Sequence, residues 1–508
     1  MWVLAVALAV PGMAAAETAS VHKAGDVVIE SRSLQSAEGE SVQFELGTLF
    51  VPENRAAPKS RLIGIGFVRL RSTGPAGAVP TFHLPGGPGD SYVDAFMDPR
   101  PDQPPRLAGL KKYRAIGDVL LVDQRGASRQ GEVLRYASHP AARPLDQPAS
   151  LEADTAAFVA AAKAAVAANA DKDLSGYTVI ECAEDVNDLR RALGYERIIL
   201  VGQSFGSQWS FAVMRVHPEI VERALLSGVE PLDYAYDMPS HVFAAFQRIA
   251  WDGDRDPGLQ PYLPKGGLMF AVRAVRDRLA RAPVRVRVKD EKGMTQTVVL
   301  GLGDFQQVFL KQPVTWPAFV LSLYHRHYED WAREIIRERA ARDERVVADA
   351  EDDDGALNGP LIDTSLGVSA AREHLLRTDP AGDFLGWWNF DSYIATAPIW
   401  PSPDVGDEFR APILSRIPVL FVNGDWDIYT PIENTLNMLP YFPNGRAILV
   451  HRGTHGARSL LSVHRPEVLA AVIEFLKSGD TQGLPAATSF PAPTFQRPSF
   501  PPPAPPKS

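Results

Sequence analysis

Residues 202–206 read Gly-Gln-Ser-Phe-Gly, and this is the stretch of the chain best suited to covalent chemistry. A serine hydroxyl is a weak nucleophile. It must be exposed beside a base and near N–H donors that can take up negative charge. The G-x-S-x-G pattern meets these needs with a sharp strand-to-helix turn, and its glycines let neighbouring backbone pass close by. By composition alone such a pattern arises in a chain this long about one time in six, so its flanks decide what it means. Residues 196–201 have the apolar pattern of a buried strand, and residues 207–218 read as a helix. Ser204 is therefore the candidate nucleophile.

A carboxylate and a histidine should follow in that order along the chain. Asp427 lies in Asn423-Gly424-Asp425-Trp426-Asp427, just past an expected strand at 417–423. His455 lies in Arg452-Gly453-Thr454-His455-Gly456, just past another at 446–451. Loops in those positions can aim a carboxylate at an imidazole, fix its tautomer and stabilise its charged form. Asp425 competes for the acid's role and His451 for the base's. A residue at a strand end is more often structural than one in the loop beyond it, which favours Asp427 and His455. An oxyanion hole would combine the N–H of Phe205 with a second donor from Pro85-Gly86-Gly87-Pro88-Gly89. Gly87 is the first choice for that donor and Gly86 the next; the competing reading of this loop is a plain surface turn.

Other chemistries find less support. The 11 histidines are scattered without an H-E-x-x-H pair, and no G-x-x-x-x-G-K loop is present, so no metal or cofactor is called for. The single cysteine, Cys182, excludes an intrachain disulfide and a cysteine-built metal site. Set among Ile180, Ala183 and Val186, it reads as a buried core residue. The net charge is −9 and no run of Lys and Arg stands out, which argues against a nucleic-acid partner.

The elements that must hold these residues follow from hydrophobic pattern. Segments 44–51 and 62–71 read as an antiparallel hairpin. Short apolar runs at 79–84, 118–122 and 197–201 each end in turn residues, as expected of parallel strands buried on both faces. Segment 178–193 is an amphipathic helix with Ile180, Ala183, Val186, Leu189 and Leu193 on one stripe and Gly194 as its stop. The Ala-rich 151–168 is a further helix. Strand and helix alternate, which argues for an α/β, mostly parallel sheet. With 508 residues, 45% of them apolar, a large core is available.

After an expected strand at 223–228, roughly 190 residues separate Gly228 from Ile417, far more than one crossover needs. This stretch has helical pieces such as 319–342, the tryptophans Trp316, Trp331, Trp387 and Trp388, and an acidic run at 351–354 read as a solvated loop. It is expected to be an inserted, mainly helical cap. The domain reading is a core of 17–229 and 411–480, a cap of 230–410, and a Pro-rich disordered tail at 484–508. Residues 1–16 read as a secretory signal peptide: an apolar stretch from Trp2 to Val10, then Ala14-Ala15-Ala16 as a cleavage pattern. No Lys or Arg precedes Lys23, so the positive n-region is only the α-amino group. The expected location is secreted or periplasmic, with no stable membrane insertion.

Taken together, His83-Leu84-Pro85-Gly86-Gly87-Pro88-Gly89, Asp123-Gln124-Arg125-Gly126, the elbow at 202–206, Gly424-Asp425-Trp426-Asp427-Ile428-Tyr429-Thr430-Pro431 and Gly453-Thr454-His455-Gly456 stand in a familiar order. They resemble the proline iminopeptidase and tripeptidyl aminopeptidase family of α/β hydrolases, over roughly 44–477. The resemblance implies an α/β-hydrolase fold with a cap, Asp427 as the catalytic acid, and Asp123 and Arg125 holding loops near the site. It implies hydrolysis of peptides from the N-terminus through an acyl-enzyme. Such an enzyme needs a carboxylate for the substrate ammonium; Glu230 is the candidate, with Asp233 and Asp237 behind it. His83 is separated from the glycines by Leu84-Pro85, unlike the shorter iminopeptidases, and the cap lacks the cysteines common in secreted members. Some relatives are carboxylesterases, so a small ester is the alternative substrate. A non-catalytic binding protein on this scaffold would need a triad member lost, and none is. Dehalogenases and epoxide hydrolases of this fold use Asp at the elbow, which Ser204 argues against. Nothing in the sequence addresses the oligomeric state.

Overall fold

The structure is a computed structural model that describes residues 22–35, 39–99, 107–136, 143–348, 355–386 and 391–504. The expected signal segment, the acidic run 351–354, and Trp387 and Trp388 lie outside the described residues. Fourteen strands are described: β1 (Val27–Gln35), β2 (Ser41–Pro52), β3 (Leu62–Leu70), β4 (Thr81–Leu84), β5 (Val119–Val122), β6 (Arg135–Tyr136), β7 (Ile198–Ser204), β8 (Val221–Val229), β9 (Val284–Lys289), β10 (Thr295–Leu300), β11 (Gly355–Ala356), β12 (Val419–Gly424), β13 (Arg446–His451) and β14 (Ala487–Ser489). Ten of them form one sheet in the order β1-β2-β3-β5-β4-β7-β8-β12-β13-β14. β1, β2 and β3 pair antiparallel, and β3 meets β5 antiparallel. From β5 to β14 every pairing is parallel.

The parallel strands are apolar throughout because both faces are covered. Along β7 side chains alternate: Ile198 and Leu200 enter one core with Val186, Trp209 and Phe421. Ile199 and Val201 enter the opposite core with Leu225, Val422 and Val472. The helix Val179–Ala192 starts where Thr178 accepts a hydrogen bond from the Glu181 N–H at 3.2 Å, and it ends before Gly194 at φ 76°. Its buried stripe includes Cys182, packed as a small apolar group.

Between β8 and β12 the chain leaves the sheet and builds the cap. Helices Pro239–Gly253, Gly267–Arg281, Trp316–Tyr324 and Tyr328–Ala348 surround a core containing Phe246, Phe309, Trp316 and Trp331. Trp316 and Trp331 are fully buried, so they form the cap's own core and do not line a substrate pocket. The cap also carries the β9–β10 hairpin, which its composition did not announce.

The tail departs from expectation. Residues 484–504, read as part of a disordered Pro-rich tail, instead cross from sheet to cap. β14 adds to β13 in parallel register. Phe490, Phe495 and Phe500 are buried; Phe495 and Phe500 join the cap core. Gln496 N–H donates to Val314 O at 2.8 Å, and Tyr262 Oη donates to Phe500 O at 2.9 Å. Proline removes backbone donors and prevents a helix. Phenylalanines five residues apart supply the apolar area that offsets the ordering entropy. Among the described residues no helix is long and apolar enough to cross a membrane.

Candidate active site

Ser204 is the last residue of β7 and the cap of helix Phe205–Val216. Its φ of 59° and ψ of −132° are costly for a side-chain-bearing residue, about 1–3 kcal/mol, and persist only where the surroundings impose them. The flanking glycines show how. A Cβ on Gly202 would lie 2.2 Å from Gly206 O, and one on Gly206 would lie 2.1 Å from Leu84 O. The turn is thus pressed between its own helix and the end of β4.

Asp427 and His455 are brought together. His455 Nδ1 lies 3.0 Å from Asp427 Oδ2 and 3.1 Å from Oδ1. Asp427 is 1% exposed and accepts from the N–H groups of Tyr429 and Thr430, both at 3.0 Å, and from Thr430 Oγ1 at 2.6 Å. So held, the carboxylate places the imidazole proton on Nδ1 and leaves Nε2 as the base. Burial disfavours the charged imidazole, but the carboxylates of Asp427, Asp237 and Asp90 outweigh it and hold the His455 pKa above its ordinary value. A Cβ on Gly228, at the end of β8, would lie 2.9 Å from His455 Cε1, so glycine lets the ring rest against backbone.

The two competing residues pair with each other elsewhere. His451 Nδ1 lies 2.8 Å from Asp425 Oδ2, and His451 is exposed. Asp425 also accepts from Arg452 N–H at 2.7 Å, while the Arg452 guanidinium bonds Asp252. This second pair is a surface brace.

Ser204 Oγ donates to Glu230 Oε1 at 3.4 Å, and in this rotamer it makes no hydrogen bond with His455. Glu230 follows β8, and its N–H donates to Ser207 Oγ at 2.9 Å. Burial, then Asp237, Asp363 and Asp427, hold its pKa well above the ordinary glutamate value, against the Ser204 hydrogen bond. Burial also pushes Asp237 and Asp363 up to about 7. Asp233 does not join this group; it faces Arg372 and Arg410.

Phe205 opens its helix, so its N–H is one of the first-turn donors that the helix cannot satisfy. Across from it, a Cβ on Gly86 would lie 3.2 Å from Ser204 Cβ. Gln124 holds this loop from both sides: its Nε2 donates to Gly86 O at 2.8 Å and its Oε1 accepts from Gly89 N–H at 2.9 Å. With Gly86 O turned toward Gln124, peptide planarity turns the Gly87 N–H to the opposite side. Asp123, pushed up to about 7 by burial, accepts from Tyr92 N–H at 2.8 Å and from Ser91. Arg125 is fully buried; it grips Asp185 and donates to Glu53 O and Gly176 O at 2.6 Å.

Four positions near the site had no signal of their own kind. Gln124 sat unremarked inside D-Q-R-G. Asp90 directly follows Gly89, and Thr430 closes the acid's motif. Asp363 comes from the cap helix Asn358–Leu366, which carries no motif at all. Among the described residues no group of three or more His, Cys, Asp or Glu is placed to hold a metal ion.

The sequence matches the alpha/beta hydrolase fold family over residues 84–261 and the family described as TAP-like protein over residues 389–485. With the sheet order and the elbow already described, these matches place the chain among the α/β hydrolases. Similar solved structures include an esterase from Exiguobacterium antarcticum, 12% identical, covering 84% of this chain and 99% of its own at TM-score 0.35. A thermophilic esterase from Thermogutta terrifontis is 16% identical, covering 85% and 99% at TM-score 0.33. A bromoperoxidase from Bacillus anthracis is 16% identical, covering 85% and 100% at TM-score 0.33. No curated protein matches the chain.

Proposed function

We propose that the protein is a serine hydrolase that releases residues or short peptides from the N-terminus of peptide substrates through an acyl-enzyme. The observation that carries this reading is the position of Glu230: a carboxylate bonded to the nucleophile itself, with Asp237 and Asp363 beside it. Mutual repulsion and burial make these carboxyls hold protons, and a bound ammonium would relieve both by drawing one off, so the cluster suits a substrate whose free ammonium lies close to its scissile carbonyl. The TAP-like match over 389–485 supports the same direction.

In this reading the substrate ammonium pairs with Glu230 and removes the acceptor that holds Ser204 Oγ. The hydroxyl turns to His455 Nε2, gives up its proton and attacks the carbonyl carbon. Phe205 N–H and Gly87 N–H hold the oxyanion. The tetrahedral intermediate collapses as His455 returns the proton to the departing amine, and water then repeats the cycle on the ester. Asp427 stays ionised throughout and orients the ring.

The test compares free and N-acetylated chromogenic peptides of the same sequence. Faster cleavage of the free peptide is the expected result. Equal rates, or turnover of short esters alone, would replace this reading with a carboxylesterase using the same triad. Export of the chain is part of the proposal and is checked by N-terminal sequencing of protein recovered outside the cytoplasm; an intact Met1 there would contradict cleavage.

A further inference from the structure

A cavity of about 190 Å³ opens beside His455, between the cap and the loop after β12. Its walls are Leu310 and Pro313 from the cap, Trp426, Ile428 and Tyr429 from the acid's loop, and His455 itself. Neither Ser204, the glycine loop nor any carboxylate of the Glu230 group lines it. In an acyl transfer the two halves of the substrate part at the nucleophile. One half stays on Ser204, and the other must lie within reach of the histidine that protonates it. A cavity that touches the base but not the nucleophile or the ammonium-side carboxylates is on the departing side.

Leu310, Pro313, Trp426, Ile428 and Tyr429 form the cavity's apolar side, and Lys311, Gln312, Thr454 and His455 its polar side. Leu310 and Tyr429 are exposed where the cavity meets solvent, 46% and 50%. The ammonium of Lys311 is already taken by Glu334 at 2.6 Å and by Glu338. The space exceeds the cavity of about 150 Å³ that admits benzene in an engineered core.

Both walls are braced from behind by the C-terminal segment. The ring of Phe495 lies 6.1 Å from that of Trp426, and Gln496 N–H donates to Val314 O next to Pro313. A mobile gap between cap and core would not need such bracing. A pocket of fixed width does.

We propose that this cavity is the leaving-group subsite, taking a compact apolar side chain of leucine or phenylalanine size on the first residue after the scissile bond. The assignment rests on the aminopeptidase reading for its peptide form. The experiment uses the full chain and two substrate sets. One is a series of peptides sharing an N-terminal residue and carrying Gly, Ala, Leu or Phe after the scissile bond. The other is a series of acetate esters with alcohols from methyl to benzyl. Each is run with wild type, Ile428→Trp to fill the cavity, and Leu310→Ala to trim its exposed rim without touching the core. The expected result is a kcat/KM about tenfold higher for Leu or Phe than for Gly. Ile428→Trp brings that ratio to near one and Leu310→Ala lowers it. If no peptide is cleaved but the larger alcohols are preferred, and Leu310→Ala or Ile428→Trp reduces that preference, the cavity stands and the peptidase reading falls. Flat series in both sets, or ratios unchanged in both variants, overturn the proposal.

Discussion

Two carboxylates next to His455 and Ser204 have different freedoms, and that difference sets their roles. Asp427 accepts from two backbone N–H groups, a threonine hydroxyl and the imidazole, so it can only orient. Among the described residues the Glu230 carboxyl bonds the Ser204 hydroxyl and no other side chain, and it faces other carboxylates. Replacing Glu230 with Gln keeps the shape and removes the carboxyl's ability to ionise beside an ammonium; kcat/KM for free peptides should fall about 10- to 100-fold, with a much smaller loss on acetylated peptides. The pH dependence follows from the same groups. In the proposed role His455 accepts a proton only when neutral, and the carboxylates around it hold its pKa above the ordinary imidazole value, so the rising limb of kcat/KM should lie at higher pH than a free imidazole would give. A free-amine substrate loses its ammonium near pH ~8, giving a falling limb that an acetylated substrate lacks. Asp363 makes a separate prediction about stability. Burial holds its folded pKa at about 7, whereas the unfolded chain releases that proton near the ordinary aspartate value of 3.8. Stability is therefore fully present below 3.8 and falls as pH rises toward 7. Asp363→Asn should remove that fall, so its melting temperature should exceed that of wild type at pH 8 but not at pH 4.

The elements around the site are held in place by short polar contacts and close backbone approaches. Gln124, in the turn after β5, holds the glycine loop by its carbonyl and its N–H, while Asn358 of the cap donates to the same Gln124 Oε1 at 3.1 Å. A Cβ on Gly359 would lie 2.8 Å from Pro88 O, so the cap touches the glycine loop there. Gln124→Ala should loosen the loop and lower kcat about 100-fold with little change in KM, in steady-state kinetics. A rise in KM with kcat kept would mean that the loop only helps binding. Much of this layer could be read in advance, and the reason is locality. The strands β4, β5, β7, β12 and β13 are short apolar runs ending in turn residues; Ser204 closes β7, and Asp427 and His455 stand in the loops that follow β12 and β13. The same loop logic separated Asp427 from Asp425, which in the structure braces His451 instead. Asp363 and Asn358 could not be read that way. They reach the site from a helix more than 150 residues beyond the elbow, through contacts with no period or motif. β1 was missed because it is an edge strand with mostly exposed side chains, and the β9–β10 hairpin because it interrupts a stretch dominated by helical pattern.

At the scale of the whole molecule the sheet supplies the chemistry, the cap supplies a roof, and the last described residues tie the two. Composition misled for the tail because proline dominates it, while the three buried phenylalanines that decide its fate are few. Phe500 stacks on His327 with centroids 3.8 Å apart and accepts from Tyr262 through its carbonyl. Phe495→Ala and Phe500→Ala should each destabilise the fold by about 3 kcal/mol in denaturant unfolding, and tail truncation after 486 by more. Loss of less than 1 kcal/mol would mean that the strap is not held as described. The account depends most on Ser204 as the nucleophile. Treatment of wild type with a fluorophosphonate, followed by peptide mapping by mass, should find one adduct, on Ser204, with activity lost in step. Ser204→Ala should bind none. Undiminished labelling of Ser204→Ala, or an adduct on another residue that accounts for the lost activity, would contradict it.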